Sequence, residues 1–267
     1  MKIHFEKYQG AGNDFVMLNN LDGSFDGLSI KQIAFLCDRR FGIGGDGLLL
    51  LSPSDVADTE FRMVYYNQDG SRASFCGNGA RCICAFASNV TGGTLMQKGQ
   101  YHRFVADDAI HTARVGDGWV DLKMVDVERV DLSKKDAFLN TGVPHYVVTK
   151  ESDEALRGVD IMQVAPPIRY AADYQPGGTN VNFIHIINND EISVRTYERG
   201  VEGETLACGT GIVASAITAS LTTGKNHFKV HARGGDLTVD FDKNGDAFRN
   251  VWLGGPALKV FEGECEL

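Results

Sequence analysis

Two segments, Cys76-Gly77-Asn78-Gly79 and Cys208-Gly209-Thr210-Gly211, each stand directly before a run of small and apolar residues that reads as a helix. A helix start presents unsatisfied N–H groups and a positive dipole end, both of which favour an anion. A thiol there can have its pKa lowered from ~8.5 into the ~3.5–7.5 range, which makes a usable base. The same N–H groups can hold a carboxylate. Two such motifs therefore supply two bases and two dipoles for one ligand. That set suits removal of the α-proton of an amino acid, where backbone donors stabilise the charge developing beside the carboxylate. Without a cofactor, inversion needs a base on one face of Cα and an acid on the other. One thiolate and one thiol exchange those roles with substrate direction, titrating as a coupled pair.

The remaining cysteines, Cys37, Cys82, Cys84 and Cys265, read as small buried hydrophobes. Cys76, Cys82 and Cys84 lack paired C-x2-C spacing and a nearby histidine, so no metal is expected. Neither cysteine loop continues into Gly-Lys-Ser/Thr, and Gly42–Gly47 lacks the strand, G-x-G-x-x-G, helix order, so no nucleotide cofactor is expected either. The chain has 26 basic and 35 acidic side chains, a net charge of −9, and no basic stripe to displace counterions from nucleic acid. The purest apolar run, Leu48–Leu51, is far short of the ~20 residues a bilayer needs. Met1–Gly10 shows no apolar signal region, so six thiols in a reducing cytoplasm are the expectation.

Glycine is in excess, at 31 of 267 residues, and it punctuates the elements that must carry the two thiols. Ile3–Tyr8 and Phe15–Leu18 read as strands around the turn Gly10–Asp14. Ser29 and Gln32 form a capping box for a helix with Ile30, Ile33, Ala34 and Cys37 on one face. Leu48–Leu51 and the alternating run Phe61–Tyr66 are further strands, and a helix from Cys76 is stopped by Thr91-Gly92-Gly93. The second half replays this order: strands Phe183–Ile187 and Ile192–Tyr197, a turn, the second cysteine motif, and a helix Ile212–Leu221. Even the lead-ins correspond, Tyr8–Asn13 against Tyr174–Asn180. The pattern predicts an internal duplication of α/β (α+β type) units with a boundary near Val115–Trp119. Residues 1–116 and 117–255 form the two domains, and 256–267 completes the first. Short turns favour mixed or antiparallel sheets, each wrapped around one helix whose all-round apolarity means burial.

These residues match a known family. Gly10-Ala11-Gly12-Asn13-Asp14-Phe15, Cys76–Cys82, Gly178-Thr179-Asn180-Val181, Tyr197-Glu198-Arg199-Gly200 and Ala207–Gly211 resemble the diaminopimelate epimerases, in order along the whole chain. The resemblance implies PLP-independent interconversion of L,L- and meso-diaminopimelate, on the route to lysine and peptidoglycan. It also implies two pseudo-symmetric domains with the active site in a cleft between them, and a homodimer. By it, Cys76 and Cys208 are the base and acid pair. Gly77, Asn78, Gly209 and Thr210 give backbone donors to the reacting carboxylate. Asn13, Asn67, Asn180, Glu198 and Arg199 hold the substrate amines and distal carboxylate. The three asparagines also fit plain turn formers, and Glu198–Arg199 a solvated turn pair.

Two departures concern the distal end of the substrate. Val143 stands in Gly142-Val143-Pro144-His145 where the family commonly has asparagine, and the loop after Arg199 is one residue longer, with Glu202 in it. His145 reads equally as a site contact or a packed turn residue. A same-fold racemase of another amino acid, such as histidine or proline, is the alternative, and a thiol-redox or binding protein is the distant third.

Overall fold

Ile3 and Phe5 are buried while Lys2 and His4 face solvent, the period-two pattern of a half-buried strand. This strand, β1 (Lys2–Gly10), pairs antiparallel with β2 (Asn13–Asn19). The computed structural model describes residues 2–107, 109–133 and 135–267. They divide into two units, one running to Leu122 and resuming at Gly255, the other spanning Lys123–Gly254.

In the first unit β2 lies parallel to β3 (Gly47–Ser52), which is antiparallel to β4 (Arg62–Asn67). A parallel pair needs a long crossover. The β2-to-β3 crossover carries α1 (Ile30–Cys37), whose capping box between Ser29 and Gln32 is formed in full. Its buried stripe is Ile33, Leu36 and Cys37, and Ile30 is exposed. A short strand, β5 (Arg72–Ala73), folds back on β4. β4 is then parallel to β6 (Tyr101–Ala106), and the crossover between them is α2 (Gly77–Val90). The antiparallel run β6, β7 (Ala109–Val115) and β8 (Trp119–Lys123) follows.

The second unit repeats this wiring. β9 (Ala137–Asn140) is antiparallel to β10 (Pro144–Lys150), which is parallel to β11 (Asn180–Ile186) across α3 (Asp153–Arg157) and α4 (Ile161–Arg169). β11 is antiparallel to β12 (Glu191–Glu198), against which β13 (Gly203–Thr205) folds back. β12 is parallel to β14 (His227–Ala232) across α5 (Gly209–Thr223). β15 (Gly235–Asn244) and β16 (Ala247–Pro256) extend the antiparallel run. The last strand, β17 (Leu258–Glu266), pairs antiparallel with β1. Each unit is thus a mixed sheet around one buried helix.

Three sequence expectations are corrected. The first unit runs past Gly116 because β8 continues the ladder begun by β7, in the register Val115↔Val120. The strand equivalent to β2 is β10, not the Phe183–Ile187 strand, because β9-β10-β11-β12-β14 repeats the antiparallel, parallel, antiparallel, parallel order of β1-β2-β3-β4-β6. Cys265 is only partly buried, on β17, which pairs with β1.

Both central helices are buried almost throughout, Asn78–Ser88 in α2 and Gly211–Ser220 in α5. The polar members of α5 are satisfied locally: Ser215 and Thr218 hydroxyls donate to the carbonyls of Gly211 and Ala214, at 2.7 and 2.8 Å. Gly224, in the left-handed region at φ 71°, ends the helix.

Candidate active site

Cys76 and Cys208 occupy the N-cap positions of α2 and α5, both with extended backbone (φ −140° and −113°). Neither sulfur caps its helix. Each cysteine carbonyl accepts the first helical bond, from Ala80 and Ile212, at 2.8 Å. The thiols therefore stand beside first-turn N–H groups that their own side chains do not consume.

In the first unit the Cys76 thiol and the Asn78 carboxamide both reach Asn13 Oδ1, each at 3.5 Å, and Asn13 Nδ2 donates to Asp46 at 2.5 Å. Asn13 is held there because it opens β2, opposite Gly10. The site's rim is charged. Burial alone would raise the Asp14 carboxyl, but hydrogen bonds from Arg39 and Lys7 overcome it and hold the group at about 2. Asn67 ends β4 and is exposed, its side chain donating to Ser71 at 3.1 Å across its own turn.

In the second unit Glu198, at the end of β12, is hydrogen-bonded to Cys208, and burial raises its carboxyl above the ordinary range. Asn180 is buried, donating to the Pro144 carbonyl at 3.1 Å and accepting from the Arg199 N–H at 2.8 Å. It thereby fixes the backbone that presents Arg199, whose guanidinium lies 3.4 Å from the Gly177 carbonyl. Asn13 thus stands against Cys76, and Glu198 and Thr210 against Cys208, while Asn67, Asn180 and Arg199 are held in turn and loop contacts of their own.

Sequence reasoning missed the polar chain behind Cys208. The Asn182 Nδ2 donates both to the Tyr146 carbonyl (3.3 Å) and to His145 Nδ1 (3.0 Å), while its Oδ1 accepts from Thr196 at 2.9 Å. A carbonyl cannot donate, so the amide orientation is set, and His145 carries its proton on Nε2. Burial, then the charge of Arg199, push this imidazole down to about 3, so it is neutral. Nε2 donates to Thr210 Oγ1 at 2.9 Å, which turns the threonine proton toward Cys208 Sγ, 3.5 Å away. Only Gly fits at 211, where a Cβ would collide with Asn182 Oδ1. The available signal was that His145 and Thr210 both lie in segments that carry the family resemblance.

Glu202, the extra loop residue, adopts a left-handed backbone at φ 54°. Its carboxylate takes Arg169 at 2.8 Å, Tyr170 at 2.8 Å, Tyr197 at 3.3 Å and the Gly200 N–H at 3.1 Å, and the Arg169 bond leads in holding it at about 2. This ties the loop after Arg199 to α4. Glu202→Gln is expected to raise KM by about three- to tenfold with kcat within about twofold, the signature of lost binding alone. Steady-state kinetics check this, and an equal fall in kcat would move Glu202 into the chemistry. Val143 sits in the β9–β10 hairpin, the topological counterpart of the turn before Asn13, and brings no polar group there.

The fold recurs in solved structures of low identity. A phenazine biosynthesis protein of the PhzF family from Bacillus anthracis superposes with TM-score 0.71 at 15% identity, with 100% of both chains covered. A probable proline racemase from Agrobacterium radiobacter K84 gives 0.63 at 15%, covering 99% of this chain and 93% of that one. Curated relatives are much nearer. A diaminopimelate epimerase from Flavobacterium psychrophilum is 42% identical, covering 98% of this chain and 99% of that protein. One from Aquifex aeolicus is 36% identical over 98% and 97%. The family model for diaminopimelate epimerase matches residues 5–101 and 137–259.

This is an enzyme of the PLP-independent isomerase and epimerase class, acting on a small amino-acid substrate. More particularly, the chain belongs to the diaminopimelate epimerase family. Among the described residues no helix is long and apolar enough to cross a membrane.

Proposed function

We propose that this enzyme interconverts L,L- and meso-diaminopimelate in the cytoplasm, as a homodimer, supplying lysine and peptidoglycan precursors. Carrying the reading is the placement of one thiol at the extended N-cap of each unit's buried helix. One thiolate removes the α-proton and the other thiol delivers a proton to the opposite face of the same Cα. Backbone N–H groups of Gly77, Asn78, Gly209 and Thr210 hold the reacting carboxylate, where charge develops as the proton leaves. Arg199 takes the distal carboxylate, and Glu198 with Asn13, Asn67 and Asn180 takes the ammonium groups. The names carried by the curated relatives support this substrate.

The deciding experiment is incubation with L,L-diaminopimelate in deuterated water, without added PLP. Meso product carrying deuterium at one α-carbon is expected. No exchange with diaminopimelate, together with exchange into histidine or proline, would replace the substrate and keep the reaction class. Val143 makes that comparison informative, because an apolar residue stands where the family commonly offers an amide.

A further inference from the structure

Asp46 stands in the glycine-rich Gly42–Gly47 run, directly before β3. β3 lies parallel to β2 with Gly47 opposite Phe15, so Asp46 comes against the head of β2. There the Asp46 N–H donates to the Asp14 carbonyl at 2.8 Å, and the Asp14 N–H donates to Asp46 Oδ2 at 3.2 Å. The glycines let the loop close in. A Cβ at Gly45 would stand 3.0 Å from Lys7 Nζ, and one at Gly47 would stand 2.5 Å from the Tyr66 carbonyl oxygen.

Three donors converge on the Asp46 carboxylate. Oδ2 takes the Asp14 N–H and, at 2.5 Å, Asn13 Nδ2, while Oδ1 takes Arg39 Nη2 at 2.7 Å. A carboxylate accepts at both oxygens, whereas a primary amide accepts at one end and donates at the other. Turned round, Asn13 would set its own oxygen against Asp46 Oδ2, acceptor against acceptor. Nδ2 is therefore committed to Asp46, and Oδ1 faces Cys76 and Asn78, each 3.5 Å away. The far side of Oδ1 agrees. Arg81 of α2 is fully buried, packed under Gly255, and its Nη2 donates to Asn78 Oδ1 at 2.9 Å. A guanidinium cannot accept, so Asn78 turns its Nδ2 toward Asn13. Arg39, Asp46, Asn13, Asn78 and Arg81 thus form one directed chain, in which each amide has a single permitted orientation. In the second unit Thr179 precedes β11 as Asp46 precedes β3, and its hydroxyl turns to the Asn180 carbonyl at 2.9 Å. That position offers no carboxylate.

We infer that Asp46 is a positioning residue, which fixes the Asn13 amide so that an acceptor, Oδ1, faces the Cys76 thiol and the substrate ammonium group. The inference rests on the two-thiol reading above for what that acceptor does in turnover. In Asp46→Asn the new amide can accept at one end only. Arg39 keeps the accepting end, so the donating end turns to Asn13, which must rotate and present Nδ2 to Cys76. Asp46→Ala removes the same charge but leaves the Asn13 amide unforced. The smaller change in shape should therefore do the greater harm.

The test has three readings. Neutron diffraction from wild-type crystals in deuterated solvent should place deuterium on the Asn13 side-chain atom facing Asp46 and none on the atom facing Cys76. The reverse would overturn the inference with no variant made. In steady-state kinetics Asp46→Asn should lower kcat by about tenfold or more, and Asp46→Ala by about threefold. The third reading is iodoacetamide alkylation of Cys76 in substrate-free enzyme at one fixed pH, followed by peptide mass spectrometry. Thiolate is the reacting species, displacing iodide from the reagent's methylene carbon, and an N–H facing the sulfur favours it. Cys76 in Asp46→Asn should react at least about threefold faster than in Asp46→Ala. A role in packing or charge alone predicts that the asparagine variant is equal to the alanine variant or milder, and that order in either measurement would overturn the inference. The neutron and alkylation readings use no substrate, so their failure is distinct from failure of the deuterium-exchange experiment.

Discussion

Cys76→Ala and Cys208→Ala are each expected to lower kcat by about 10³-fold or more, within the range that general acid–base groups contribute. Neither change should unfold the protein. The sulfurs make no helix cap, and the backbone that forms the first helical bond is unchanged. On the proposed two-base scheme the thiols act as a unit, so the double variant should be about as slow as either single one. The singles should differ in a second measurement. Each keeps one base, so each should still exchange the α-proton of one isomer with solvent while failing to invert it. Turnover in water and deuterium wash-in for the separate isomers read out both effects. Wild-type kcat in either single variant would sink the two-base scheme, and equal wash-in of both isomers in both variants would remove the face assignment.

How much of this could be read without coordinates depends on whether the cause is local. The central helices were legible because a helix apolar on every side has to be buried, and the Cys-Gly-x-Gly motif marked both starts. The capping box at Ser29 and Gln32 is likewise a short-range pattern and forms as read. Strand correspondence was not local. Phe15–Leu18 and Phe183–Ile187 both run into Asn-Asn, and both follow a Tyr-Gln lead-in. Those are turn preferences, set by backbone conformation over a few residues. Which strand is which depends on its hydrogen-bonded neighbours, and these place β10, not β11, in the role of β2. The Pro144 at the head of β10 did not mark it as a strand, although the first strand position tolerates proline.

The candidate site divides in the same way. Cysteines, glycines and the Glu198-Arg199 pair stand out by type and spacing. Arg81 does not, because a single arginine in a helix reads as a solvated face until Gly255, far along the chain, is seen closing over it. Asn182 was hidden within a run of strand residues, and its role appears only when β11 lies parallel to β10 with His145 opposite Asn180. Glu202 was visible as an extra residue in the loop. Its work on Arg169 was not, since α4 is brought to it by tertiary folding.

His145 yields the second large effect, in stability. Its imidazole is fully buried and titrates at about 3 in the folded chain, with burial the leading cause, against ~6.5 when exposed. Between those values the unfolded chain binds a proton that the folded chain refuses. Stability therefore rises with pH across this window and is flat above about pH 6.5, where both states are neutral. Going downward, one such group removes stability at up to ~1.4 kcal/mol per pH unit. Urea unfolding of the wild type and His145→Gln between about pH 7 and pH 4.5 isolates that slope from other titrations. At neutral pH the variant should be the less stable, having lost the bonds to Asn182 and Thr210. That deficit should shrink steadily as the pH falls below about 6.5, and parallel curves would show that His145 is not held neutral. Protonation would add a donor at Nδ1, facing the amide N–H of Asn182 that it now accepts. Acid thus works against the same hydrogen-bond chain that turns the Thr210 proton toward Cys208, but the folded imidazole stays neutral down to about 3, so in this window His145 should cost stability and leave kcat of the folded enzyme unchanged.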